Sequence, residues 1–336
     1  DRKCLYVNMN NFYFQGRGIA DFAREFYNEG GRVLLIDQVF KHPEWSPELR
    51  KCYDMYPNLK IVFTGSSVMR LKEENPELNN IVKSYNLRGF SFREFLNLKT
   101  GNHFRPYTLD EILRNHERIV KDILPKVSPL SFFQDYLHHG FYPFFQEQRN
   151  YSENLLKTMN MVTEVDILLI KQIELKYLTK IKKLFYLLAL EGNKAPNVSW
   201  LAQEIETSRA TVMNYIKYLA DARLINMIYP KGCEFPKKPS KVMMHNTNLM
   251  YAIYPIAVKR QDVMETFFVN TMWKDHNVNQ GAKDDFYWVD GSQKFKICNA
   301  NDFEKKKFRQ DTIYARYNTE VGKDNLIPLW LLGFLY

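Results

Sequence analysis

A chain of 336 residues with 45% hydrophobic and 25% charged side chains has a globular composition and is long enough for two or three domains. The net charge of +9 favours a polyanionic partner, nucleic acid or nucleotide, while no apolar run reaches the roughly 20 residues of a membrane span. Cys4, Cys52, Cys233 and Cys298 stand far apart with no C-x-x-C pair, which argues against a disulfide framework or zinc site and fits reduced thiols in a cytoplasmic protein.

In chain order, residues 4–9 (CLYVNM) predict a strand. From Gly18, Ile19, Phe22, Ala23, Phe26 and Tyr27 recur at three and four residues, the pattern of an amphipathic helix, and Gly30-Gly31 closes it. Residues 33–36 are apolar without alternation and too short for a helix. They predict a strand buried on both faces of a parallel sheet, which makes the opening a βαβ unit. Asp37 stands at the carboxyl end of that strand, where open α/β sheets bind ligands. P-loop nucleotide hydrolases place there the carboxylate that holds Mg²⁺ through water, and an ordinary turn Asp is the alternative. A loop with Pro43, Trp45 and Pro47 leads to a helix through Leu49, Cys52, Tyr53 and Tyr56. Residues 59–63 (LKIVF) read as the next buried strand, ending in Thr64-Gly65-Ser66-Ser67. Hydroxyls there either sense a γ-phosphate and its attacking water or satisfy a tight turn.

A helix through Val68, Leu71 and Leu78 and a strand over residues 81–87 complete the expected first domain. Arg88 and Arg93 follow as candidates to reach a γ-phosphate, as arginine fingers do; pairing with Glu94 or another carboxylate is the alternative. Residues 107–173 read as helical, opened by a Thr108/Glu111 capping box and broken at Pro125 and Pro129. His138 and His139 would point about 100° apart on a helix, with no carboxylate or Cys at ligand spacing, which argues against a metal.

After a helix over residues 179–191, Ser199 would cap a short helix with Leu201, Ala202 and Ile205 inward. Thr207 or Ser208 would cap a second with Val212, Ile216 and Leu219 inward, at helix-turn-helix spacing. Residues 224–244, with a basic turn at Lys237-Lys238, would supply a winged hairpin. The outward face of the second helix, Arg209, Thr211, Asn214, Tyr215 and Lys217, is expected to reach phosphates and base edges of DNA, with plain packing as the alternative. Beyond Asn246 a helix carrying Glu265, Phe267, Phe268 and Met272 precedes strands around 286–289 and 294–297.

The order and spacing of LLIDQVFK (34–41), PEWSPEL (43–49), IVFTGSS (61–67) and SFREF (91–95) resemble the prokaryotic AAA-type P-loop ATPases that carry a C-terminal restriction-endonuclease-like domain of unknown function. YPFF (142–145), NTNL (246–249), ETFF (265–268) and PLWLLGF (328–334) extend the resemblance along the chain. It implies an α/β fold: a parallel-sheet ATPase core over 1–100, a helical lid over 101–175, a winged helix over 176–245 and a nuclease-like domain over 246–336. It also implies ATP and Mg²⁺ as ligands, held at Asp37 and Thr64, with Gln38, Ser66 and Arg88 as further catalytic candidates.

The chain departs from that family in three places. The family's Gly-rich loop ending in Gly-Lys-Thr, which gives backbone N–H groups and a Lys to the phosphates, is absent from these residues; it is expected upstream of residue 1, with true loss as the alternative. Gln38 stands where the family has a Glu that polarises water; an amide cannot take the proton, so nucleotide binding with weak or absent hydrolysis is expected. In the nuclease-like domain, Glu265 and Asp290 match two of the family's metal carboxylates. Lys296 occupies the third acidic position, and the expected Lys falls near Ala300, with Asp302 or Glu304 replacing the carboxylate only in a shifted register. A lysine repels the ion, so an inactive nuclease-like fold is expected. The function implied is an ATP-binding ATPase acting with DNA; the alternative is a non-enzymatic DNA-binding or protein-interaction protein that keeps only the fold.

Overall fold

The computed structural model describes residues 3–69, 71, 75–147, 150–281, 286–299 and 309–336. The chain forms two units, Asp1–Leu87 with Asp166–Ile173, and Arg88–Val165 with Glu174–Tyr336. The boundaries expected at 100, 175 and 245 all fall within the second. Ala300, Asp302 and Glu304 lie outside the described residues.

The first unit is α/β. Strands β1 (Cys4–Asn8), β2 (Val33–Asp37) and β3 (Lys60–Phe63) form a parallel sheet in that order, linked by helices α1 (Ile19–Asn28) and α2 (Trp45–Met55). Helix α1 buries Ile19, Ala23 and Phe26 along one stripe. The chain then turns through Gly30, at φ +88°, and Gly31, where a Cβ would stand 2.4 Å from the Phe26 ring. Both helices pack with each other and with Leu34 and Ile36 in one core. The opposite face carries the row Tyr6, Leu35 and Val62, with Tyr6 59% and Val62 58% exposed. Strand β2 is therefore central but deeply buried on one face only, not on both. Its residues alternate between faces, and α1 and α2 cover the same one.

Two further expectations fail here. The described residues of 68–78 are not helical but for a 3₁₀ turn, Pro76–Leu78, because Pro76 disfavours a helical residue before it and starts the turn afresh, and residues 70 and 72–74 lie outside the described residues. Leu78 nonetheless reaches the core. Residues 81–87 form no strand: extended backbone needs a partner for its N–H and C=O groups, and here Tyr85 and Leu87 are 80% and 94% exposed.

In the second unit, α3 (Phe92–Thr100) and α4 (Leu109–Ile123) each open on a closed capping box, Ser91/Glu94 and Thr108/Glu111. Helix α5 (Pro129–Asp135) runs into a π-helical turn, Tyr136–Gly140. Asn248 supports that turn by donating to the carbonyls of Tyr136 and Leu137 and accepting from the Phe141 N–H. Helix α6 (Tyr151–Met161) leads through another π-helical turn, Val162–Ile167, into α7 (Leu168–Ile170) of the first unit.

Helices α8 (Leu178–Glu191), α9 (Val198–Glu204) and α10 (Arg209–Asp221) are followed by an antiparallel pair, β4 (Ile225–Ile228) and β5 (Lys241–Met244). After α11 (Thr247–Ile253) and α12 (Arg260–Met272) comes a five-stranded mixed sheet ordered β10-β9-β8-β7-β6. Its strands are β6 (Val278–Gln280), β7 (Phe286–Val289), β8 (Gln293–Asn299), β9 (Ile313–Tyr317) and β10 (Leu326–Pro328). The β6-β7-β8 pairs are antiparallel and the β8-β9-β10 pairs parallel. Phe92, Phe133, Tyr136, Phe267 and Phe334 form a connected set of ring contacts in this unit's core. Among the described residues no helix is long and apolar enough to cross a membrane.

Candidate functional site

The parallel register sets Asn8 opposite Asp37 and Phe63 opposite Ile36, so the three strands end together. Three donors meet the Asp37 carboxylate there. Tyr6 Oη and Asn8 Nδ2, both from β1, donate to Oδ2 at 2.9 Å each, and the Thr64 hydroxyl donates to Oδ1. The Thr64 hydroxyl also accepts the Gln38 N–H at 3.0 Å, and its carbonyl accepts the Val39 N–H. These bonds hold Gln38 in the left-handed region, φ 57°, ψ 48°, a conformation that costs a non-glycine residue about 1 kcal/mol or more. Asp37, Gln38 and Thr64 are thus one interlocked unit, and Asp37 and Gln38 remain partly open to solvent.

Ser66, two residues past Thr64, donates through Oγ to Asp166 Oδ2 at 2.6 Å. Asp166 arrives from 100 residues away, in the segment that returns to this unit. Burial pushes its carboxyl up, opposed by the Ser66 hydrogen bond and by the charge of Lys41. Tyr6, Asn8 and Asp166 are the residues that sequence reasoning missed. Alternation in CLYVN puts Tyr6 and Asn8 on one face, but only the register shows that this face carries Asp37. Nothing near Asp166 in sequence announces its partner.

Residues 1–96 match the family model of an AAA domain. Residues 131–260 match a second model, a domain of unknown function (DUF8612). Over 206 residues the chain is 28% identical to an uncharacterized protein of Methanocaldococcus jannaschii, an overlap covering 60% of this chain and 43% of that relative. The chain thus spans less than half of that relative's length. No solved structure matches the chain.

The other candidate residues lie outside the AAA-like domain's strand ends, in the second unit. Arg88 donates to the carbonyls of Asn270 and Trp273 at the end of α12, and Arg93 donates to those of Tyr336 and Phe104. Both guanidiniums are engaged by main-chain acceptors. On α10, Arg209 and Asn214 are exposed, and Thr211 is turned to Ser208 at the helix start. Tyr215 is not on the outward face: it is buried, at 6% exposure, because it follows Val212 by three residues and precedes Leu219 by four. Lys217 is ion-paired with Asp221 one turn on.

Glu265, Asp290 and Lys296 have separate partners. Glu265 is buried and accepts from Lys241 at 2.8 Å, Tyr287 at 2.6 Å and Gln261 at 3.0 Å. Asp290 sits in the turn between β7 and β8, bonded to His276 Nδ1 at 2.7 Å and to the Asn277 N–H. Burial works to raise its carboxyl, but those two bonds outweigh it and the net direction is down. Lys296 lies over the Phe286 ring. His138 stacks on Tyr251, and His139 pairs with Asp135. Among the described residues no group of three or more His, Cys, Asp or Glu side chains is placed to hold a metal ion.

Proposed function

We propose that the AAA-like domain binds ATP with Mg²⁺ at the carboxyl ends of β2 and β3 and hydrolyses it slowly at best. The observation that carries this reading is the Asp37–Thr64 lock at the end of the central parallel strand. A carboxylate offers about four lone-pair sites. Tyr6, Asn8 and Thr64 take three of them, which leaves one on Oδ1. A hard oxygen ligand with a single open position fits Mg²⁺, which keeps its waters and binds few protein carboxylates. Asp37 would hold the ion through water at Oδ1, because Tyr6 and Asn8 fill Oδ2. Bound Mg²⁺ would neutralise phosphate charge. Gln38 would orient a water without accepting its proton, which favours binding over turnover. The Gly-rich phosphate cradle of a P-loop is the part of such a site that these 336 residues do not carry.

We propose DNA as the partner of the α8–α9–α10–β4–β5 segment, read as a winged helix. Exposed Arg209 and Asn214 on α10, and exposed Lys231, Lys237 and Lys238 between β4 and β5, support a polyanion contact. The separate partners of Glu265, Asp290 and Lys296 favour a nuclease-like sheet that binds or packs over one that cuts DNA.

Titration of the full-length protein with a fluorescent ATP analogue tests the nucleotide reading. Mg²⁺-dependent binding is expected, weakened about tenfold or more in Asp37→Ala. No binding with Mg²⁺ present would reject it in favour of a non-enzymatic protein that keeps the fold.

A further inference from the structure

Gln38 leaves the proposed nucleotide site without a proton acceptor, yet the fold brings a second carboxylate to Ser66, in the loop that follows β3. The chain of contacts is short: the Gln38 N–H bonds the Thr64 hydroxyl, and two residues on, Ser66 Oγ bonds Asp166 Oδ2 at 2.6 Å. Lys41, in the 3₁₀ turn after β2, acts electrostatically on the same carboxyl. Asp166 lies in the π-helical turn Val162–Ile167, a rare geometry concentrated at functional sites, which re-aims the side chains that follow it. Ser66 itself belongs to the loop after β3 whose Thr64 hydroxyl donates to Asp37.

We infer that Asp166 is the general base of the site, a role that rests on the nucleotide reading above. The water oxygen bonds to the γ-phosphorus as its proton passes to the Asp166 carboxylate. The bond from the γ-phosphorus to the bridging oxygen breaks, ADP and phosphate leave, and Asp166 returns the proton to solvent. Burial suits the residue to this task, because a carboxyl held above its ordinary range is a stronger base than an exposed one. Ser66 is a positioning residue that fixes one carboxylate oxygen, Oδ2.

The test uses the full-length protein with three readouts: affinity for the ATP analogue, single-turnover ATP hydrolysis, and the pH titration of the Asp166 side-chain carboxyl followed by carbon NMR. Asp166→Asn is expected to keep affinity and lose turnover by about a hundredfold or more. Gln38→Glu added to Asp166→Asn is expected to restore turnover by returning a carboxylate to the strand end, which a purely structural Asp166 would not allow. Ser66→Ala removes a bond that lowers the Asp166 midpoint, so the midpoint and the acid limb of the rate should both move to higher pH. Wild-type turnover in Asp166→Asn overturns the inference, as does an Asp166 midpoint in the ordinary carboxylate range. A wild-type protein that binds ATP but gives no single-turnover product also overturns it. No ATP binding by the wild type instead removes the nucleotide reading itself, and this role with it.

Discussion

At the residue scale, Asp37 was legible because an apolar run that stops on a carboxylate marks the end of a parallel strand at which ligands bind. Its setting was not legible. Tyr6 and Asn8 lie about thirty residues away, and nothing short of strand register joins them to Asp37. Tyr6→Phe removes one of three donors and keeps the ring, so it is expected to weaken Mg²⁺-dependent ATP-analogue binding by less than Asp37→Ala does; equal loss would mean that Tyr6 touches the nucleotide directly. His245 makes a separate prediction. Burial, then Arg223 and Arg88, lower it from an ordinary 6.5 to about 3. The folded protein therefore holds it neutral while the unfolded chain takes up a proton below about 6.5. Its contribution is fully present above that value and is lost as pH falls towards 3, at about 1.4 kcal/mol per pH unit for one proton. Urea unfolding at pH 7 and 5 should show that slope, and a His245→Gln protein that folds should lack it.

At the element scale, the capping boxes of α3 and α4 and the stripe of α1 follow from local physics, and local sequence suffices to place them. Strands depend on distant partners, and residues 81–87 show it: their composition suits a strand, but they join no sheet and stay irregular. Helix α10 shows a finer failure. Its expected stripe is Val212, Ile216 and Leu219, while the buried set adds Tyr215 between them. Tyr215→Ala should therefore cost stability, about 3–5 kcal/mol by analogy with other buried aromatics, measured by urea unfolding. Arg209→Ala should leave stability unchanged and reduce the salt slope of DNA binding by about one, since one phosphate contact is lost. Lys217, already paired with Asp221, should change that slope little. An unchanged slope in Arg209→Ala would assign the polyanion to another surface.

At the scale of the whole molecule, motif blocks that look alike in sequence divide into two kinds. Those of the first unit end at a solvent-facing cluster of Asp37, Gln38, Thr64 and Ser66. Those of the second unit meet in its interior: Asn246 bonds Tyr142, Asn248 supports the turn at Tyr136–Gly140, and Gly333 packs so closely that a Cβ would lie 2.6 Å from Phe92 Cβ. Sequence alone gives both kinds the same weight, because a close-packed core and a ligand site each tolerate few substitutions. Ligand response separates them. A nucleotide that binds only the folded protein stabilises it by about 2.7 kcal/mol at a concentration of 100 times Kd. Hydrogen exchange with Mg²⁺ and ATP should therefore slow at the amides of Gln38, Val39 and Thr64, whose bonds close the ends of β2 and β3. Protection at Asn248 and Gly333 should not change by direct contact, and Asp37→Ala or removal of Mg²⁺ should abolish the effect at the strand ends. Slowing that appears only around the Phe92 and Phe334 core would place the ligand in the second unit and leave the Asp37 cluster a structural lock.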